Sequence, residues 1–159
     1  MSVTIHPTVP ERERERATDL YVRALHLKIE RILGSAPRSV AFLAPTLVPD
    51  RGIVAVSADG RVVGIAGFKA DGRGLFAPSV QDFRRAYGWS GPVRAYALSL
   101  LERDEDEDSL LMDGLAVSAS SRGLGIGTLL LDAIEDRARI LGKSAVRLDV
   151  IDSNDRARR

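Results

Sequence analysis

The sequence predicts an α/β (α+β) fold. Three observations carry this: a β-branched hairpin over residues 52–68, a strand–glycine loop–helix–strand run over residues 110–151, and an amphipathic helical stretch over residues 10–33. A chain of 159 residues has room for one domain, 1–159, and at this size about two-thirds of the unfolded surface is buried without a disulfide or metal staple.

Composition narrows the function classes. With no cysteine, the sequence offers no disulfide, no thiolate zinc site and no cysteine nucleophile; its two histidines, His6 and His26, are too few for a histidine-rich metal site, so no metal is expected. The net charge of +1 comes from interleaved acids and bases, which gives no basic face for nucleic acid. No apolar run approaches the ~20 residues of a membrane span, and the first residues lack a signal-peptide core. A cytoplasmic protein that engages neither nucleic acid nor membrane is expected.

In chain order, residues 2–6 are short and β-leaning. Pro10 suits a helix's first turn, where its missing N–H costs nothing. Ala17, Leu20, Tyr21, Ala24, Leu25, Ile29, Ile32 and Leu33 then keep the helical period until Gly34 stops it, so one helix is expected. Residues 39–47 are weakly helical and end at Pro49. Two β-branched runs flank Asp59-Gly60, the signal of a hairpin whose two turn residues take positive φ. After a loop at residues 70–74, helices are expected at 78–87 and 92–101. The acidic run at 102–108 reads as an exposed connector. Residues 110–117 (LLMDGLAV) are a strand with an interior glycine, Gly114, which marks a bulge or a close backbone approach. Ile126, Leu129, Leu130, Ala133, Ile134, Ala138 and Leu141 form one apolar stripe of a helix that Gly142 caps, and residues 145–151 (AVRLDVI) read as a buried strand.

The helix entry is the informative stretch. Gly123, Gly125 and Gly127 alternate immediately before a helix, although glycine is a poor helix former. A helix N-terminus presents unpaired N–H groups and the positive end of its dipole, and a loop stripped of side chains lets an anionic group sit directly on them. Arg122 adds a charge and Thr128 a hydroxyl, a set that fits a phosphate or pyrophosphate. The alternative is that the glycines only let the helix pack close to the sheet. A P-loop needs lysine and Ser/Thr after its last glycine, but Thr128 and Leu129 follow Gly127. A dinucleotide fingerprint needs G-x-G-x-x-G, and neither Gly123 nor Gly125 begins one. Asp149, near the end of the next strand, keeps a nucleotide-binding βαβ reading open as a third possibility.

The frame that fits is R-x-x-G-x-G from Arg122 to Gly127, preceded by the strand DGLAV and followed by Asn154 and Ala157 in an asparagine-x-x-alanine run. In these residues the sequence resembles the GNAT superfamily of N-acetyltransferases, and TIHPTVPERERE at the start and the central hairpin extend the likeness over most of the chain. The resemblance implies a mixed, mostly antiparallel central sheet flanked by helices; residues 69–108 exceed the short connection most members use there, so a helical insertion is expected between strands 3 and 4. It implies that acetyl-CoA is the cosubstrate, its pyrophosphate on Arg122, Gly123, Leu124, Gly125, Ile126, Gly127 and Thr128, with Asn154 also on the cofactor. The pantetheine arm would pair with backbone of Leu115, Ala116 and Val117 in a splay between the strands ending at Val117 and near Ile151. A kink at Gly114 would turn main-chain N–H groups towards the thioester; an ordinary bulge is the alternative.

The implied reaction is direct transfer to a small-molecule or peptide amine, with a carboxylate taking the amine proton. Asp149 and Asp113 are the two candidates; Asp149 could instead pair with Arg147, and Asp113 could cap a strand edge. The family usually continues past the asparagine with a tyrosine-bearing helix and two strands, whereas this sequence stops at Arg159. That departure implies a C-terminally shortened domain, an unprotected edge and therefore a possible homodimer, and it keeps a non-catalytic CoA-binding or regulatory module as the rival function. Phe76, Phe83, Tyr87, Trp89 and Tyr96 either line an acceptor pocket or form a satellite core.

Overall fold

Five strands pair in the order in which the chain makes them. The computed structural model describes residues 2–101 and 104–148. Strands β1 (Val3–His6), β2 (Gly52–Ser57), β3 (Val62–Lys69) and β4 (Ser109–Val117) run antiparallel, and β5 (Ala145–Leu148) joins β4 in parallel. The sheet is mixed and mostly antiparallel, as the resemblance implies.

All of β2 and all of β3 except Lys69 is buried, because helices cover both sheet faces. Side chains alternate along the strands: Val54, Val56 and Ile65 face one layer, while Ile53, Ala55, Ala66 and Phe68 face the other. Such continuous apolar runs are what a strand covered on both sides requires.

Among the described residues the second layer is a single helix, α6 (Ile126–Ile140), whose Ile126, Leu130, Ile134 and Ala138 are buried against β2, β3 and β4. Burying each of the larger three contributes about 1.5–3 kcal/mol. Leu129 and Leu141, counted in the stripe from sequence, lie at its exposed margin. The helix ends in a Schellman motif: Gly142, at φ 71°, donates its N–H to Arg139 O, and Lys143 donates to Ala138 O at 2.9 Å.

The first layer contains α1 (Arg14–Ala24), α2 (His26–Leu33), α3 (Ala36–Leu43), α4 (Val80–Tyr87) and α5 (Gly91–Ser99). Here the expectations need correction. The single helix expected over residues 10–33 is broken at Leu25 (φ −108°, ψ 18°). The reason is tertiary: α1 packs on β3, β4 and α3, whereas α2 leaves the sheet for α3 and α5, and the apolar period runs through the bend unchanged. The weak helix at 39–47 begins earlier, at Ala36 with Pro37 in its first turn. It stops at Leu43, because Pro45 cannot continue an α-helix. The hairpin is real but its turn is wider than two residues. Gly60 donates to Ser57 O and Ser57 to Arg61 O, and only Gly60 has positive φ, which gives a three-residue loop.

Helices α4 and α5 form the insertion between β3 and β4. Phe83 and Tyr87 pack on Phe42 at centroid distances of 4.7 and 5.3 Å, so these two belong to a satellite core. Trp89 and Tyr96 instead stand in solvent at 92% and 66% exposure, and the five aromatics do not share a pocket. The acidic run is not a bare connector either. The carbonyls of Asp106, Glu107 and Asp108 accept from Lys143, Ser144 and Ala145, anchoring the start of β5, and the Asp106 carboxylate accepts from Arg147 at 3.0 Å.

Candidate functional site

The site is built at the C-terminal half of β4. Parallel pairing to β5 runs from Ser109–Ala145 to Met112–Leu148, and among the described residues β4 continues past it without a partner on that side. Opposite β3 the register runs Gly67–Gly114 and then Phe68–Met112, which leaves Asp113 as an extra residue. The interior glycine therefore marks a β-bulge at Asp113 and Gly114.

The bulge has specific surroundings. A Cβ at Gly114 would lie 3.2 Å from the Tyr21 hydroxyl and 3.3 Å from the Tyr21 ring, so glycine lets α1 come this close without displacing Tyr21 by a few tenths of an ångström. Asp113 is exposed, and its carboxylate accepts the Leu75 N–H at 3.2 Å. A Cβ at Gly74 would stand 2.6 Å from that same carboxylate oxygen, so the loop at 73–75 is wrapped closely around Asp113. Burial, and secondarily the charge of Asp113, push the Tyr21 phenol well above the ordinary tyrosine range.

Beyond β4 the chain is pinned and then left bare. Ser118 donates to Val63 O at 2.8 Å and Ser121 to Ser118 O at 2.9 Å, and Ser121 is buried. Arg122 follows with extended backbone and its Nε donating to Val117 O at 3.3 Å. Gly123 (φ 77°) and Gly125 (φ 76°) are left-handed, and Gly125 caps α6 without a side chain to satisfy the first N–H groups. Ile126 anchors the helix start in the core, while Arg122, Leu124 and Thr128 are exposed around it.

This geometry answers whether packing demands the glycines. A Cβ at Gly123 or Gly125 would meet nothing within 4 Å, and one at Gly127 would make only an ordinary 4.0 Å contact with Leu115. Close packing on the sheet does not require them. What they leave is an exposed row of main-chain amides at the positive end of a helix.

Of the other sequence candidates, Leu115 and Val117 are half-buried towards α6 and Ala116 is buried towards α1. Asp149 and Asn154 lie outside the described residues. The nucleotide-binding reading loses its basis, since β4–α6–β5 is the single parallel unit in an otherwise antiparallel sheet among the described residues. Among those residues no group of three or more metal-ligating side chains is placed to hold an ion, and no helix is long and apolar enough to cross a membrane. Sequence reasoning missed Tyr21 and the Gly74–Leu75 loop as parts of the site. The only local signal for Tyr21 was a tyrosine on the apolar face of a helix.

A helix-flanked mixed sheet whose bulged strand leads into a glycine-rich helix entry is the architecture of an acetyltransferase. Residues 18–159 match the model of the acetyltransferase (GNAT) family, and the chain belongs to that family of acetyl-CoA-dependent N-acetyltransferases. Solved structures agree in fold. One described as an acetyltransferase is 22% identical with a TM-score of 0.63, covering 98% of this chain and 84% of that one. A ribosomal-protein-alanine N-acetyltransferase from Brucella melitensis biovar Abortus 2308 is 19% identical with a TM-score of 0.56, covering 99% and 86%. An aminoglycoside N-acetyltransferase in complex with CoA is 14% identical with a TM-score of 0.59, covering 99% and 82%. No curated protein matches the chain.

Proposed function

We propose that the protein transfers an acetyl group from acetyl-CoA to a primary amine by direct attack of the amine on the thioester. The observation that carries this reading is the bare, left-handed entry to α6 at Gly123 and Gly125, in a chain of the acetyltransferase family. The diphosphate of the cosubstrate is held by the amides from Gly123 to Thr128, with Arg122 supplying charge. Pantetheine extends along the backbone of Leu115, Ala116 and Val117 and brings the thioester to the bulge at Gly114. Asn154 contributes to the cosubstrate's binding as the family resemblance implies.

Asp113 takes the proton of the attacking amine. Its carboxylate is exposed at the bulge and fixed by Leu75, as a general base that must reach a substrate proton needs to be. Nitrogen adds to the carbonyl carbon, the C–S bond breaks, and CoA leaves as thiolate. The acceptor is a primary amine of a small molecule or peptide; the acceptors named for the two fold neighbours differ from each other and select neither.

Calorimetry with CoA tests the binding half, and thiol release from acetyl-CoA across a panel of primary amines tests the transfer half. Expected are saturable binding that weakens at least tenfold in Gly125→Val, and turnover with at least one amine. Absent heat with CoA on folded protein overturns the reading. Binding without turnover on any amine returns the protein to the CoA-binding module considered from sequence.

A further inference from the structure

Tyr21 is the one buried polar side chain at the bulge for which the family pattern offers no role. It projects from α1, is 7% exposed, and its ring is held edge-on by Phe76 at 5.4 Å and 63°. A buried phenol ordinarily finds a hydrogen-bond partner. Tyr87 does: it donates to Leu33 O at 2.8 Å. The Tyr21 hydroxyl has no such partner among the described residues. It is not sealed in either, because no fully enclosed side-chain polar atom among them lacks a partner. An open donor is thus left against Gly114, where the extra residue in β4 displaces the backbone.

We propose that Tyr21 is a catalytic residue of the acetyl transfer. Its hydroxyl, held under the bulge at Gly114, donates a hydrogen bond to the carbonyl oxygen of the bound thioester and to the oxyanion formed there. This rests on the reading that acetyl-CoA lies along β4. As the amine nitrogen bonds to the carbonyl carbon, the C=O π pair moves onto oxygen, where the phenol stabilises it. The pair then returns, the C–S bond breaks, and the phenol keeps its proton throughout. Burial and the charge of Asp113 favour the protonated phenol, which suits a donor of this kind. Such donors act strongly because they are fixed before charge develops.

The test is the carbonyl stretch of bound acetyl-CoA labelled with ¹³C at the acetyl carbonyl, read by difference infrared spectroscopy on wild type, Tyr21→Phe and Gly114→Ala. The phenylalanine variant retains the ring contacts and loses only an unpartnered hydroxyl, so it should fold. Expected in Tyr21→Phe are acetyl-CoA affinity weakened by no more than about tenfold, as for loss of one neutral hydrogen bond, a carbonyl band shifted to higher wavenumber, and turnover at saturating acetyl-CoA with the best panel amine reduced about a hundredfold, as for loss of one oxyanion donor. In Gly114→Ala the new methyl group displaces the hydroxyl by a few tenths of an ångström. A band between those of wild type and Tyr21→Phe is expected there. An unshifted band and unchanged turnover in Tyr21→Phe, with acetyl-CoA bound, overturn this inference alone. Failure of wild type to bind acetyl-CoA overturns it together with the reading beneath it.

Discussion

The amide of Leu75 donates to the carboxylate of Asp113 at 3.2 Å, joining two segments 38 residues apart in the chain. The loop after β3 thereby holds a charged group at the bulge of β4, with Gly74 allowing the approach. Asp113→Asn keeps an oxygen for the Leu75 N–H but removes the base. The expected result is a kcat about 10²-fold lower or worse, with CoA affinity unchanged. Asp113→Ala also orphans the Leu75 N–H and should cost about 1 kcal/mol of stability in addition. Steady-state kinetics and urea unfolding separate the two effects. Unchanged kcat in Asp113→Asn removes the role of base from Asp113.

The glycines of the helix entry can be separated by substitution. At Gly125 alanine meets open space but must adopt φ 76°, so Gly125→Ala should lose about 1–2 kcal/mol of stability along with CoA affinity. Gly127 lies within α6 with an ordinary contact to Leu115, and Gly127→Ala should gain up to about 1 kcal/mol from helix propensity. If the bare amides serve a diphosphate, Gly127→Ala becomes more stable and binds CoA at least tenfold more weakly. If the glycines serve folding alone, its affinity does not change. Thermal unfolding and calorimetry on the two variants decide this.

The hairpin and the helix entry were legible because each is written in adjacent residues. β-branched runs flank Asp59-Gly60, and Gly123, Gly125 and Gly127 alternate before an apolar stripe. The turn width was not, since Asp59-Gly60 serves a two-residue or a three-residue loop equally well. The break at Leu25 was hidden because the apolar period continues across it while the chain leaves the sheet: α1 packs on β3, β4 and α3, and α2 on α3 and α5. The aromatic residues of the insertion show the same limit. Composition alone does not tell that Phe83 and Tyr87 turn inwards while Trp89 and Tyr96 turn out. The surroundings of the bulge were the least legible, since Tyr21, Gly74 and Leu75 reach Asp113 and Gly114 from distant segments through main-chain contact and shape.

Acid should loosen the attachment of β5. The Asp106 carboxyl is held below the ordinary aspartate range, chiefly by the Ser109 hydroxyl, then by the Ser109 N–H, with Arg147 adding charge. A depressed folded-state pKa contributes stability that is present above the unfolded value, near 3.9, and lost as pH falls through the lower folded value. Acid unfolding of Asp106→Asn should therefore lack the part of the wild-type pH dependence that appears below about pH 4. Carboxyl NMR titration of wild type should place Asp106 among the last aspartates to protonate.

Alkali should act through the two buried tyrosines, and the sign follows from their protons. Burial raises the pKa of both Tyr21 and Tyr87, so the folded state keeps protons that the unfolded chain releases near pH 10. Stability from these groups is complete below that value and falls as pH rises beyond it, by up to about 1.4 kcal/mol per pH unit for Tyr21 once its unfolded counterpart is ionised. The Tyr87 contribution is smaller, because Arg38 and Arg94 lie over its ring at 4.5 and 4.7 Å and oppose the effect of burial. At neutral pH the order reverses. Tyr87→Phe abolishes the hydrogen bond to Leu33 O and should cost about 1 kcal/mol, whereas Tyr21→Phe removes a hydroxyl with no partner among the described residues and should cost less. Urea unfolding from pH 7 to 11 should therefore give curves that cross: Tyr21→Phe slightly below or level with wild type at neutrality, and above it in alkali. Parallel curves would mean that the Tyr21 phenol ionises in the folded protein as readily as in the unfolded chain.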